Sequence, residues 1–179
     1  MLLRTLSLLL PVALTFANTL VGQSDVDALK DAFNSAAQTI LEIRGACGEF
    51  SDNVDIAHAT VVTDALSILD SQLRNFTTLI PDHVMTNTDG RWACDAYAGD
   101  VTPATEFVEA INSRKNDFRA VHFTSHVCHS LQKLATDGIT FYKKFMAAIP
   151  ATYKACIEQY YDATEKEKEK LVETFCEKE

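Results

Sequence analysis

Three histidines with helical spacing are the residues with the clearest potential for chemistry. His122, His126 and His129 follow one another at i, i+4 and i+7, so an unbroken helix would hold them within about 60° of its surface. Two histidines four residues apart can share a metal ion, and a third would strengthen the site. The same strip carries lysine and arginine but no carboxylate, and nearby cations oppose a further cation. The pattern therefore favours a solvated polar face, with surface metal binding as a weaker alternative.

The five cysteines form a second group of reactive side chains, and we expect disulfides among them. No Cys-x-x-Cys pair occurs, which argues against zinc ribbons and thioredoxin-like redox sites. Disulfides are the default in an oxidising compartment. An odd number leaves either a buried thiol or a bridge between two chains, so a disulfide-linked dimer is possible. The spacing does not select the pairing among Cys47, Cys94, Cys128, Cys156 and Cys176.

Enzyme signatures are absent from the sequence. It contains no G-x-S-x-G, no H-E-x-x-H, no phosphate-binding glycine loop and no dinucleotide fingerprint. We therefore expect no enzymatic activity and no cofactor.

Aromatic side chains are the remaining candidates for contact with a ligand or partner. Phe141, Tyr142 and Phe145 follow an apolar helical stripe, so they form either ordinary core or the lining of a cavity between helices. Trp92 and Tyr97 flank a cysteine in a segment without helical periodicity. They are either anchors packed beside a disulfide or exposed residues of an interface.

Helices must position nearly all of these residues. Apolar residues step by three and four over residues 26–47 and again over 59–80, which predicts two long amphipathic helices. Gly45 and Gly48 indicate the end of the first helix, and Pro81 the end of the second.

Residues 81–102 form the longest stretch without apolar periodicity, and we expect one long irregular loop there. Asn, Asp and Gly residues between Thr86 and Gly90 are typical of turns. A loop of this length in a compact domain is usually tied down, functional, or both.

Beyond this loop, Pro103 predicts the first turn of a third helix, which can run to about Thr136. A fourth segment covers Ile139 to Ile149. Pro150 then disrupts the helix, but the apolar stripe continues in phase, which favours a kinked continuation over a reversal. The alternating charges of residues 165–170 predict a solvated helix face.

These patterns together predict an all-α fold. We expect a single helical bundle of four or five helices over residues 24–179, stapled by disulfides, with one long irregular loop at about 81–102.

The N-terminus predicts a secretory signal peptide. Arg4 gives a positive start, residues 6–16 are mostly apolar, and cleavage after Ala17 fits the preference for small residues, with Gly22 as the alternative site. The sequon at Asn75 is a candidate glycosylation site, and it lies on the polar side of the predicted second helix. We expect a secreted, extracellular protein.

Charge and secretion together limit the functions to consider. The net charge of −9 argues against nucleic acid and against anionic membrane surfaces as partners. We favour a secreted non-enzymatic binding protein that acts on an extracellular protein partner, through either an exposed helix face or the 81–102 loop. The alternative is a carrier of a small apolar ligand, such as a lipid or hormone, in a cavity of the bundle.

Overall fold

The computed structural model describes residues 25–176, and every regular element in that range is a helix. Five helices are long and one is short: α1 (Asp25–Asp52), α2 (Ile56–Leu79), α3 (Asn87–Ser113), α4 (Lys115–Ala120), α5 (Thr124–Ala148) and α6 (Ala151–Cys176). The predicted all-α class is confirmed. The predicted signal peptide, residues 1–17 or 1–22, lies outside the described residues. Within those residues, no helix combines the length and apolar character needed to cross a membrane.

The five long helices form a closed ring. α1 packs against α2 and α3, α2 against α5, α3 against α6, and α5 against α6. Helix axes in contact lie about 8–10 Å apart, so the centre of such a ring is about 8 Å from each axis. A helix with its side chains has a radius of only about 5–6 Å. The centre of the ring must therefore be filled by large side chains or remain open.

Two clusters of buried apolar side chains close the two ends of the ring. We name them after their central residues. In the Phe118 cluster, the ring of Phe118 lies 4.6 Å from that of Phe50 and 6.0 Å from that of Phe175. The Phe145 cluster includes Phe76 and Phe141, and the rings of Phe141 and Phe145 are 5.3 Å apart. Burying each Phe contributes roughly 1.5–3 kcal/mol, so these clusters hold the helix ends together.

The expected long loop at 81–102 is wrong, because α3 begins at Asn87. The Thr86 hydroxyl caps α3 by accepting a hydrogen bond from the Asp89 backbone N–H at 3.2 Å. These polar residues, which also suit turns, start a helix here. The irregular connection between α2 and α3 is therefore short, and Pro103 lies inside α3.

The first helix does not end at Gly45 and Gly48, as the glycines had indicated. α1 continues to Asp52, because its buried seam continues past both glycines through Cys47 and Phe50. A Cβ at either glycine would meet nothing within 4 Å, so the glycines lie on the open side of α1.

The expected third helix is interrupted between α3 and α5, and α4 lies in the gap. α4 carries Phe118 into the core, where it is fully buried. His122 follows in the left-handed region, with φ of 58°, and the Phe123 N–H then bonds the Phe118 carbonyl at 2.8 Å. α5 runs straight through Gly138, where a stop was expected.

The chain reverses at Pro150, so the kinked continuation was also wrong. Ile149 is extended, with φ of −76° and ψ of 134°, as the residue before a proline should be. α6 then runs back along α5, since the Cys128–Cys176 disulfide joins the start of α5 to the end of α6.

Four of the five cysteines form disulfides in the structure. Cys94 pairs with Cys156, which ties α3 to α6, and Cys128 pairs with Cys176. Cys47 is the free thiol and is only 3% exposed. Burial raises its pKa to about 12, against the smaller opposing effect of Arg114. The structure thus favours the buried-thiol alternative and gives no support to the disulfide-linked dimer.

Gly90 and Gly99 provide a matched test of the contact between α3 and the reversal. A Cβ at Gly90 would lie 2.6 Å from Tyr153 Cδ2 and 3.0 Å from Pro150 Cδ, whereas Gly99 has open space. We expect Gly90→Ala to destabilise the fold by about 1–3 kcal/mol through overpacking. Gly99→Ala should stabilise it by about 0.5–1 kcal/mol through helix propensity. Chemical denaturation measures both, and equal effects at the two sites would contradict the close approach of α3.

Candidate ligand-binding cavity

A cavity of about 210 Å³ lies within the ring, between the two apolar clusters. Ala36 packs against both clusters, which are otherwise separate. All five long helices contribute to the lining, which extends along α6 from Tyr160 to Val172. At about 1.5 Å of rise per residue, this stretch is about 18 Å long. The cavity is therefore elongated along the bundle.

Small residues explain why the centre of the ring stays open. Ala36, Ala104, Ala135 and Gly138 line the cavity from three different helices. A Cβ at Gly138 would make its first contact with Leu73 at 3.7 Å, which is an ordinary van der Waals distance. Larger side chains at these positions would occupy the space that the ring geometry leaves.

The wall formed by α1 and α2 is entirely apolar. Its side chains are aromatic or aliphatic: Phe33, Ala36, Ile40, Leu69, Leu73 and Phe76. An apolar ligand can bury its surface against such a wall, whose side chains offer no hydrogen bonds.

The polar lining comes from α3, α5 and α6. It consists of three carboxyl or amine groups and five hydroxyl groups: Asp100, Glu165, Lys168, Tyr97, Tyr142, Tyr160, Tyr161 and Thr164. The Lys168 ammonium lies 3.7 Å from the Glu165 carboxylate, and the Lys168 side chain is 39% exposed. The cavity therefore has polar groups on one side, and its lining reaches solvent at Lys168.

The ionisable groups of this polar wall are perturbed by their surroundings. Burial raises the pKa of Asp100, and the positive charge of Lys168 opposes that shift. Loss of water lowers the pKa of Lys168, against the opposing effects of Glu165 and Asp100. Burial also raises the pKa of Tyr97 and Tyr161, so both phenols remain neutral donors at ordinary pH.

The predicted contact residues divide into lining and support. Tyr97, Phe141 and Tyr142 line the cavity, whereas Phe145 lies in the cluster that closes one end. Trp92 does not line it; its ring meets Phe33 edge-on at 5.5 Å. Trp92 and Tyr97 are thus packed inward on α3, as in the first of the two interpretations of these residues.

The histidine stripe does not form. His122 lies in the turn before α5, so it does not share a helix face with His126 and His129. The ring of His126 stacks on Phe123, with centroids 4.4 Å apart. Among the described residues, no three His, Cys, Asp or Glu side chains are grouped closely enough to hold a metal ion.

Sequence reasoning missed the charged residues of the cavity. Glu165 and Lys168 were assigned to a solvated face because they lie in an alternating charged run. Their positions nevertheless continue the inward stripe from Tyr161 to Leu171 in steps of three and four. That spacing could have indicated that Glu165 and Lys168 face inward, but their charges favoured a solvated face.

Solved structures with the same architecture include several lipid complexes. AFMP4P in complex with palmitic acid superposes with a TM-score of 0.78 at 15% identity, over 84% of this chain and 99% of that one. Ligand binding domain 1 of Penicillium marneffei MP1 protein, complexed with arachidonic acids, has a TM-score of 0.66 at 14% identity, over 86% and 100% of the two chains. Domain 2 of the same protein, complexed with multiple arachidonic acids, also has a TM-score of 0.66, at 10% identity over 88% and 99%.

This chain shares their fold. No protein-family model matches the sequence, and no curated protein is significantly similar to it. The likeness is therefore one of architecture alone.

A buried acid stands beside the cavity wall, between α2 and α5. Asp70 is 5% exposed, and one of its oxygens has no hydrogen-bond partner in the described structure. Arg74 pairs with Asp70 and also with Asp137, the second bond measuring 3.1 Å. Burial, helped by Asp137, raises the pKa of Asp70 despite the opposing charge of Arg74.

Asp70→Asn should therefore stabilise the protein at neutral pH. A carboxyl whose pKa is higher in the folded state stabilises the fold when it is protonated. This stabilisation is fully present below the unfolded pKa of about 3.9 and is lost as pH rises through the folded pKa. Asparagine cannot ionise, so its advantage should appear at pH 7 and shrink in acid. Melting temperatures against pH measure this, with the exposed Asp64→Asn on the same helix as control. A less stable Asp70→Asn at pH 7 would mean that the pair with Arg74 outweighs burial.

Proposed function

We propose that this protein is a non-enzymatic carrier of a lipid with a long alkyl chain, held in the cavity between the helices. The observation that carries the proposal is an elongated internal space with one wholly apolar wall and a polar wall opposite. Apolar pockets with a few convergent polar groups are the usual form of small-ligand sites.

The dimensions suit a narrow chain. Cavities of about 150 Å³ with apolar walls can hold a molecule the size of benzene, and drug-sized ligands use about 300–1,000 Å³. The volume of about 210 Å³ lies between these values. Because the lining extends along half of α6, an extended chain uses this space better than a compact ring system.

The structural neighbours add support of a different kind. They are complexes with palmitic acid or arachidonic acids, and this chain has their architecture at 10–15% identity. We infer from the shared fold and from this chain's own cavity that its ligand belongs to the same broad class of chain lipids.

The carrier proposal displaces the protein partner that the sequence favoured. That idea named an exposed helix face or an aromatic loop at 81–102 as the contact surface. The loop residues belong largely to α3, and Trp92 and Tyr97 pack against Phe33, which removes the loop version.

We also propose that the carrier works outside the cell. Two disulfides join distant parts of the chain, which suits an oxidising compartment. Asn75 is exposed on α2, where a glycan would point away from the cavity. The signal peptide and the glycan remain predictions from sequence.

Filling the cavity should abolish lipid binding. Ala104→Phe would project a ring into the cavity, whereas Ala98→Phe places the same ring at an exposed position of the same helix. With delipidated protein and a displaceable fluorescent fatty-acid probe, we expect Ala104→Phe to weaken binding by at least about tenfold, a loss of about 1.4 kcal/mol. Ala98→Phe should bind like the wild type.

Two results would contradict the proposal. One is wild-type protein that binds no chain lipid after delipidation. The other is equal binding by both variants while circular dichroism shows both folded, since the ligand would then lie outside the cavity.

A further inference from the structure

The polar wall of the cavity holds more acids than bases. Among the described lining residues, Lys168 is the one cation, while Asp100 and Glu165 are both carboxylic acids. α1 and α2 contribute no charged group to the lining, and the one polar group from α5 is the phenol of Tyr142. The electrostatics seen by a ligand head group are therefore set by α3 and α6.

The charge of Lys168 is already compensated. Its ammonium lies 3.7 Å from the Glu165 carboxylate, and Asp100 adds a second attraction from α3. A ligand carboxylate would become a third acid around one base, and like charges close together in a partly dehydrated site repel strongly.

Neutral hydrogen-bonding groups are plentiful at the same place. Tyr97, Tyr142 and Tyr161 offer phenol hydroxyls, and Tyr161 already donates to Glu165. The Thr164 hydroxyl donates to the Tyr161 carbonyl at 3.0 Å, which leaves its lone pairs as acceptors. Such groups can hold an uncharged head without burying a new charge.

Resting on the proposed carrier function, we propose that this cavity prefers a chain lipid with an uncharged polar head, such as an alcohol or a protonated carboxylic acid, over the corresponding carboxylate. A pocket that binds carboxylates would need an unpaired lysine beside the head group, whereas Lys168 is paired with Glu165.

The groups facing the head position support this preference from each side. They are Tyr97 and Asp100 on α3, Tyr142 on α5, and Tyr160, Tyr161, Glu165 and Lys168 on α6. The nearby charges are also acidic, since Glu158 and Asp162 act on Tyr142 and Glu169 acts on Tyr161. Burial already raises the pKa of Asp100, so ionisation of this second acid beside Glu165 is itself disfavoured. A fatty acid should therefore take up a proton on binding, and its affinity should rise as pH falls. An alcohol has no such dependence.

The test compares dodecanoic acid with dodecanol, which share one chain length and differ in head group. Each displaces an uncharged naphthylamine probe from the disulfide-intact protein. At about pH 8, where free carboxylic acids are ionised, we expect the alcohol to bind about tenfold more tightly. Lowering the pH to about 5 should narrow the gap by strengthening only the acid.

Variants of α3 identify the source of the preference. Asp100→Asn removes one negative charge, so at about pH 8 it should tighten dodecanoic acid binding several-fold relative to dodecanol binding. Asp95→Asn, an exposed position on the same helix, is the matched control and should change neither. Circular dichroism confirms that the variants are folded.

The outcomes separate this inference from the carrier proposal. Tighter binding of the acid at about pH 8, lost in Lys168→Met, would overturn the neutral-head preference and leave the carrier intact. Equal affinities that do not respond to pH or to Asp100→Asn would also overturn it. Failure of both ligands to bind would refute the carrier, and this inference with it.

Discussion

Five helices packed in a closed ring leave a space at their centre that ordinary side chains only partly fill. The other features of the structure depend on how side chains fill that space. At both ends it is filled by aromatic side chains, grouped around Phe118 and Phe145. In the middle, alanines and Gly138 leave it open. The apolar side chains that face this space forfeit packing energy, and a ligand that fills the space would recover that energy.

The disulfides hold the polar wall in place around this space. Cys94–Cys156 ties α6 to α3 near one end, and Cys128–Cys176 ties α6 to α5 near the other. α6 therefore cannot move inward to close the cavity without moving both neighbours. Cys47 takes no part in this framework, because it is packed into the apolar core between α1 and its neighbours.

The sequence predicted the class of fold better than its connections. The apolar stripes of α1 and α2 were readable because each buries one continuous face. The start of α3 was not, since Thr86 and Asp89 suit a turn as well as a helix cap. The close packing of Gly90 on Pro150 and Tyr153 is a tertiary contact that the sequence does not reveal. The reversal at Pro150 was missed because the apolar stripe continues in phase across the proline. The same pattern occurs in one kinked helix and in two helices joined by a reversal.

The cavity itself could be predicted only in part. Tyr97, Phe141 and Tyr142 were recognisable as aromatic candidates, but alanines that line a void look the same in sequence as alanines that pack tightly. Asp100 and Lys168 were hidden because a charge facing a cavity differs from a solvated charge only through the tertiary structure. The closed ring, and with it the central space, depends on which helices pair, which no local pattern specifies.

The carrier function requires a chain lipid to lie inside the ring. A crystal structure with a long-chain alcohol brominated at its far end tests this directly through the anomalous signal of bromine. We expect a bromine peak between the two apolar clusters, against the wall formed by α1 and α2. A peak on the outer surface of the bundle, with the cavity empty, would contradict it.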